Sequence, residues 1–451
     1  MNTQKSNFSS RLGFVLATAG SAVGLGNIWR FPYLAAKYGG GSFLLIYILL
    51  AVTFGFTLMI TELAIGRKTG KSVVGAFTSL DKRFSFVGYL AAIVPLIIFP
   101  YYCVIGGWVI KYGLMYVNGQ AQLAAADGTF TGFIAGTAEP LGYFCLFIAA
   151  SAVVVALGVE KGVEKFSKIL MPLLVILTIG IAIYVLTVDG AMAGVKYYLT
   201  PDLSKISLNA VCAALGQLFY SMSIAMGILV TYGSYMKKED DLGKSVVQIE
   251  LFDTGIAFLA ALIVIPAVFA FSGGDPATLG AGPSLMFIAL PKVFASMPLG
   301  SVIGTAFFVL VLFAALTSSI SLFETIVSII MEKLNWSRIK TCVIAFVFSV
   351  ALGIPSALGY GVFDSIRILG MQFLDFFDFI SNTVIMPIVA FFTCIFVGYI
   401  IKPKAIHDEV TASGKFSRYG MYQIMVKYIA PPLLVLILVS AVLNAFGVIS
   451  L

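Results

Sequence analysis

The stretch Gly20–Pro32, GSAVGLGNIWRFP, sits inside a run apolar enough to cross a bilayer, yet it holds Gly20, Gly24, Gly26, Asn27, Arg30 and Pro32. Glycine is a poor helix former and lets the chain leave helical geometry, so backbone N–H and C=O groups here lose their intrahelical partners. In hydrocarbon each such group is costly unless something binds it. A half-helix N-terminus offers donors and a positive dipole to an anion, while freed carbonyls offer oxygens to a small cation. Spaced small residues also let helices pack closely. Asn27 and Arg30 are poor packing residues in a membrane, and they turn the reading toward a ligand site.

Composition supports the membrane frame. Of 451 residues 60% are hydrophobic and 11% charged, with a mean hydropathy of +1.02, a balance no soluble domain of this length approaches. The one histidine, His407, lies in a polar loop, and Cys103, Cys145, Cys212, Cys342 and Cys394 are scattered singly through apolar segments. Neither metal chemistry nor a disulfide framework is expected. The N-terminus resembles a signal peptide, but its apolar run continues through WRFPYL and is followed by further spans.

Apolar runs of about twenty residues predict eleven spans, near 12–36, 42–65, 87–115, 141–158, 166–187, 208–235, 245–271, 300–331, 341–356, 373–400 and 423–449. Lys5, Arg11, Arg67, Lys68, Lys71, Lys161, Lys165, Lys237, Lys238, Arg338, Lys402, Lys404 and Arg418 fall on one side of this topology, against Lys37, Lys111, Lys196, Lys205, Lys292 and Arg367 on the other. The basic side is the cytoplasmic one by the positive-inside rule, which places the N-terminus in the cytoplasm and the C-terminus outside. The net charge of +7 is then a topology signal that needs no nucleic-acid partner.

A second interrupted segment, Gly216–Gly227, GQLFYSMSIAMG, puts Gln217, Ser221 and Ser223 inside the sixth apolar run. The first and sixth spans are corresponding members of two five-span halves. Because five is odd, the halves lie with opposite topology, an all-α polytopic protein with a 5+5 inverted repeat, discontinuous helices 1 and 6, and a midplane site. The expected organisation is residues 1–11 as a cytoplasmic segment, 12–187 and 208–400 as the repeats, 188–207 as an extracellular loop, 401–422 as a cytoplasmic loop, and 423–451 as the last helix and C-terminus.

With RLGFVLATAGSAVGLGNIWRFPY, GGGSFLLIY, ITELAIGR, YYCVIGGW, GQLFYSMSIAMG, ILVTYGSY, AALTSSIS and DFFDFISN in this order from Arg11 to about Gly398, the chain resembles the neurotransmitter:sodium symporter family, in particular its bacterial amino-acid branch. The resemblance implies Na⁺-coupled uptake of a small solute by alternating access, with spans one, two, six and seven moving against a scaffold. It implies a first cation site from the Ala22 carbonyl, Asn27, Ser221, Asp253 and a substrate carboxylate oxygen. It implies a second from the carbonyls of Gly20, Val23 and Ala314 with the hydroxyls of Thr317 and Ser318. Taken alone, hydroxyls such as those of TSS more often bond back to their own helix.

The same resemblance implies a substrate carboxylate against the amides of Leu25 and Gly26 and the Tyr102 hydroxyl, with the ammonium near carbonyls of Ala22, Tyr220 and Ser221. Ser21, Gly24 and Phe219 complete the expected shell, and Ile98, Tyr102, Tyr220, Ser223, Met226, Ser318 and Leu322 line the side-chain subsite. That wall carries no charge and favours a neutral hydrophobic or aromatic amino acid. Ile98 and Leu322, considered singly, read equally as core. The expected gates are Arg30 with Asp378 outside and Lys5 with Glu332 inside, the latter near Tyr235, with Phe8 where relatives often carry tryptophan. Glu62 is expected to brace both breaks, and Gly162 with Pro172 to mark a fifth span that unwinds. The expectation is thus a Na⁺-driven importer of the inner membrane, not an enzyme, chloride-independent because Asp253 supplies the negative charge, and monomeric or weakly oligomeric. A substrate-gated sensor or channel on the same scaffold, or another neutral cargo such as GABA or a betaine, remains open.

Overall fold

The computed structural model describes residues 7–273 and 282–445. Every regular element among them is helical. In chain order the principal helices are α1 (Arg11–Ala22), α2 (Gly26–Lys37), α3 (Gly41–Thr69), α4 (Lys82–Val117), α5 (Ala138–Ala156), α6 (Val159–Val185), α7 (Leu208–Ser221), α8 (Ile228–Gly233), α9 (Leu242–Ser272), α10 (Gly300–Leu334), α11 (Arg338–Ala357), α12 (Phe373–Ile400) and α13 (Tyr419–Asn444). Among the described residues nine of these are long and apolar enough to span a bilayer, and α1 with α2 forms one further span bent by 54°. The expected sixth span is two pieces, α7 and α8, each too short to cross alone.

Local chemistry sets the helix starts. Ser10, Ser207 and Asp241 each accept a backbone N–H three residues on, from Gly13, Ala210 and Lys244, and so cap α1, α7 and α9. The outer faces are apolar rather than polar: Ile169, Leu173, Ile176 and Ile183 line one exposed stripe of α6, as hydrocarbon contact demands and water would not. At the centre α1 packs against α6, α9 and α10, while α7 and α8 lie against α3. Both interrupted spans are therefore buried in protein, the one setting in which irregular backbone is tolerated at membrane depth.

Candidate functional site

The two breaks, at 23–25 and 222–227, face one another. Ser223 Oγ donates to the Ser21 carbonyl at 3.0 Å, and the Ser21 and Ser223 hydroxyls lie 3.0 Å apart. Ser321 of α10 donates to Ser21 Oγ at 2.7 Å. In the second break Ser223 and Ala225 hold positive φ, 54° and 63°, a left-handed conformation that costs a non-glycine residue about 1–2 kcal/mol. The Ser21 contact and an N–H from Ala225 to Glu62 Oε1, at 2.8 Å, hold that conformation in place. Glu62 thus braces the second break alone; among the described residues it makes no bond to the first.

Asp253 is fully buried on α9. Its Oδ1 accepts from Ser221 Oγ at 2.6 Å and Asn27 Nδ2 at 2.7 Å, and its Oδ2 from Tyr47 at 3.2 Å. No lysine or arginine pairs with it among the described residues. Asn27 Oδ1 in turn accepts the Gly24 N–H at 2.9 Å, and Gln217 donates to the Gly26 carbonyl at 2.9 Å. Asn27, Ser221 and Asp253 are therefore one hydrogen-bonded cluster, with Ala22 buried in the adjoining wall. A second cluster joins α1 to α10. Ser318 Oγ lies 3.4, 3.2 and 3.2 Å from the carbonyl oxygens of Gly20, Ser21 and Val23. Thr317 bonds back to Phe313 and Ala314 at 3.0 and 3.1 Å, its β-carbon 3.2 Å from where a side chain on Gly20 would begin.

Between the clusters Ser21, Ala22, Gly24, Gly26, Ile98, Tyr220, Ser221, Ser223, Met226, Ser318 and Leu322 enclose a cavity of about 30 Å³, room for a water or two. A methyl on Gly24 would fall 2.6 Å from Ser318 Oγ and 3.1 Å from the Tyr102 hydroxyl, so the glycine is required by close approach. The Leu25 N–H points to that hydroxyl at 3.4 Å, and the Tyr220 ring covers Gly26. Phe219 departs from expectation: it packs edge-on against Phe54 at 5.6 Å, outside the cavity. One residue along a helix turns the side chain through about 100°, and Tyr220 takes the inward position.

The charged groups above and below differ in state. Arg30 does not pair with Asp378; it lies over the Tyr220 ring, 5.5 Å from the centroid. Asp378 instead accepts from Tyr101 at 3.0 Å and Asn382 at 2.6 Å. On the basic face Phe8 is buried edge-on among Phe14, Tyr232 and Tyr235, and Tyr235 donates to Glu324 at 2.8 Å. Lys5 lies outside the described residues; Glu332 accepts the Ser72 N–H at 2.6 Å. Reading the sequence missed Glu324 and its partner Arg338, which grips both carboxylate oxygens at 2.6 and 3.0 Å. The signal for it was a lone acid in the apolar run SLFETIV. The turn containing Gly162 is helical in this structure: Val159–Glu164 forms a widened helical turn leading into α6.

Comparisons agree with this geometry. The chain matches the Sodium:neurotransmitter symporter family over residues 5–128 and 137–448. It is 34% identical to a sodium-dependent transporter of Haemophilus influenzae, covering 97% of this chain and 98% of the relative. It is 34% identical to the sodium-dependent transporter YhdH of Bacillus subtilis over the full length of both. The crystal structure of MhsT in complex with L-phenylalanine superposes with a TM-score of 0.88 at 38% identity, over 97% of this chain and 100% of that one. Two facing helix breaks, a buried carboxylate cluster and full-length similarity converge: this chain belongs to the Sodium:neurotransmitter symporter family, as a multi-pass sodium-dependent membrane transporter.

Proposed function

We propose that the protein imports a neutral, hydrophobic or aromatic L-amino acid together with Na⁺ across a bacterial inner membrane, its basic face cytoplasmic, and that it needs no chloride. The observation that carries the reading is Asp253, a buried carboxylate with three hydrogen-bond donors and no basic partner among the described residues. A buried charge of this kind calls for a counter-ion or a proton. Sodium beside Asn27, Ser221 and the Ala22 carbonyl supplies the positive charge, and the carboxylate supplies the negative charge that chloride would otherwise bring.

The amino acid places its carboxylate at the Leu25 and Gly26 amides and its ammonium at carbonyls of the second break. Its side chain enters between Ile98, Met226 and Leu322. The cavity must widen for this, and Met226, unbranched and rotatable, is the wall best able to move. A second Na⁺ at Gly20, Val23, Ala314, Thr317 and Ser318 clamps α1 to α10. The two five-helix repeats, 12–187 and 208–400, supply the halves that alternate. L-phenylalanine bound to MhsT supports a substrate of this class.

Uptake into proteoliposomes tests the proposal. Phenylalanine, leucine or methionine should accumulate with an inward Na⁺ gradient, not with K⁺, and equally well in gluconate; glycine, burying little apolar surface, should compete weakly. Counterflow should occur, as a channel cannot drive it. Tightest binding of glycine, or accumulation without Na⁺, overturns the reading.

A further inference from the structure

On the face opposite the basic one, three helices end around a cavity of about 380 Å³, far larger than the central one and in the size range of small-molecule sites. They are α6, which stops at Val185, α9, which stops at Ser272, and the helix Leu285–Ser296 that leads toward α10. The walls are largely apolar, from Val188, Ala267, Ala270, Phe271, Val293 and Met297, and Ala267, Val293 and Met297 among them are buried.

The polar side chains of the rim share one property. The Tyr184 hydroxyl donates to the Pro298 carbonyl, Thr187 Oγ1 to the Tyr184 carbonyl at 2.7 Å, and Ser296 Oγ to the Val293 carbonyl at 2.7 Å. Each hydroxyl proton is engaged by the backbone, so these groups can only accept from an occupant. The Asp189 carboxylate, exposed at the same rim, has no hydrogen-bond or ion-pair partner among the described residues. Lys292, on the neighbouring helix, pairs with Asp127 instead. Three helix C-termini add their partial negative charge to that of the carboxylate. The rim therefore attracts a cation that carries N–H donors, and the interior suits an apolar body attached to it. An amino acid or a phospholipid fits less well, because each brings a carboxylate or a phosphate that the same acceptors repel.

We propose that this cavity is a second binding site, which takes a water-soluble primary ammonium with an apolar body and no acidic group. The ammonium sits at the rim beside Asp189, and the body lies against Val188, Phe271 and Met297. The site shares no lining residue with the central cavity, so it stands or falls apart from the amino-acid reading. An occupant here bridges the ends of α6 and α9 to the segment that leads into α10.

Calorimetric titration of the full chain tests this, at low ionic strength and in nanodiscs of phosphatidylcholine, whose headgroup has no N–H donor, with the heat of protein-free nanodiscs subtracted. n-Hexylammonium should bind saturably, and hexanoate, with a tail of the same length and the opposite charge, should not. Asp189→Asn should weaken hexylammonium by about fivefold or more, and Ser296→Trp, which fills the cavity, should abolish its binding. Both positions are exposed, so neither change threatens the fold. Adding phosphatidylethanolamine to the nanodiscs should leave the affinity unaltered. No saturable binding, equal binding of the amine and the acid, or unchanged affinity in either variant overturns the site. Loss of affinity with phosphatidylethanolamine would give the cavity to a lipid headgroup and overturn its assignment to a soluble amine.

Discussion

Asn27 holds Asp253 from the first break: its Nδ2 lies 2.7 Å from Asp253 Oδ1 and 3.2 Å from the Asp253 carbonyl, while its own Oδ1 holds the Gly24 N–H. One amide thus fixes the backbone of the break and the carboxylate beside it. Asn27→Ala is expected to lower Na⁺-dependent substrate affinity by about 100-fold or more, since hydrogen bonds to charged groups contribute about 1.5–3 kcal/mol each. Equilibrium binding at several Na⁺ concentrations checks this; affinity within a few fold of wild type would remove Asn27 from the first cation site.

Replacing Asp253 by Asn removes the resident negative charge. Transport by Asp253→Asn should be lost in gluconate and, where any survives, should require chloride, taken up by the donors of Tyr47, Gln217 and Ser221. Uptake with gluconate or chloride as the sole anion decides the matter. A variant equally active in both, or a wild type that stops without chloride, contradicts the charge argument.

Gly24→Ala should separate binding from folding. The added methyl meets Ser318 Oγ and the Tyr102 hydroxyl inside the pocket wall, and overpacking of this kind costs about 1–3 kcal/mol. Substrate Kd should weaken by about tenfold or more while the protein still purifies as a folded monodisperse species. Unaltered Kd by calorimetry would mean that the substrate does not approach this backbone.

Glu324, fully buried, forms an ion pair of bidentate geometry with Arg338, whose side chain is partly exposed. Breaking one side by Glu324→Gln should destabilise by about 3–5 kcal/mol, whereas Glu324→Gln with Arg338→Met should recover much of the loss, because no charge is then left unpaired. Thermal denaturation of the two variants and wild type checks the ordering. A single variant as stable as wild type would show that the pair is dispensable.

Both breaks could be read in the sequence because glycines and polar side chains weaken a membrane helix, and a cluster of them in an apolar run marks where the backbone is meant to bind something. The left-handed backbone at Ser223 and Ala225 could not, since neither residue type signals it; contacts from Ser21 and Glu62, distant in sequence, impose it. The resemblance named residues that the fold does bring together, Asn27 with Ser221 and Asp253, and Ser318 with the first break, whereas the Thr317 hydroxyl bonds its own helix, as isolated threonines in membrane helices do. Phe219 was misplaced because the break obscures the helical phase next to it. Arg338 escaped notice because a basic residue at a helix start reads as ordinary positive-inside charge, and only the fold brings it to Glu324. Arg30 and Asp378 part because Tyr101 and Asn382 take up the carboxylate and the Tyr220 ring takes up the guanidinium, contacts set by the fold.

The burial of Phe8 has a consequence for energy conversion. On the proposed alternating-access reading, a symporter stores one gradient in another only as far as it forbids half-laden passages, and the ring of Phe8, packed ahead of the first helix, would be part of what holds the basic face shut. Burying such a ring contributes about 1.5–3 kcal/mol, which corresponds to roughly ten- to a hundredfold in how often that face stands open. On that reading the coupling ratio, solute moved per sodium, would be set in part by ordinary hydrophobic packing at a residue outside the proposed ion and cargo sites. Shortening the chain past Phe8 would leave binding intact and make the transporter slip.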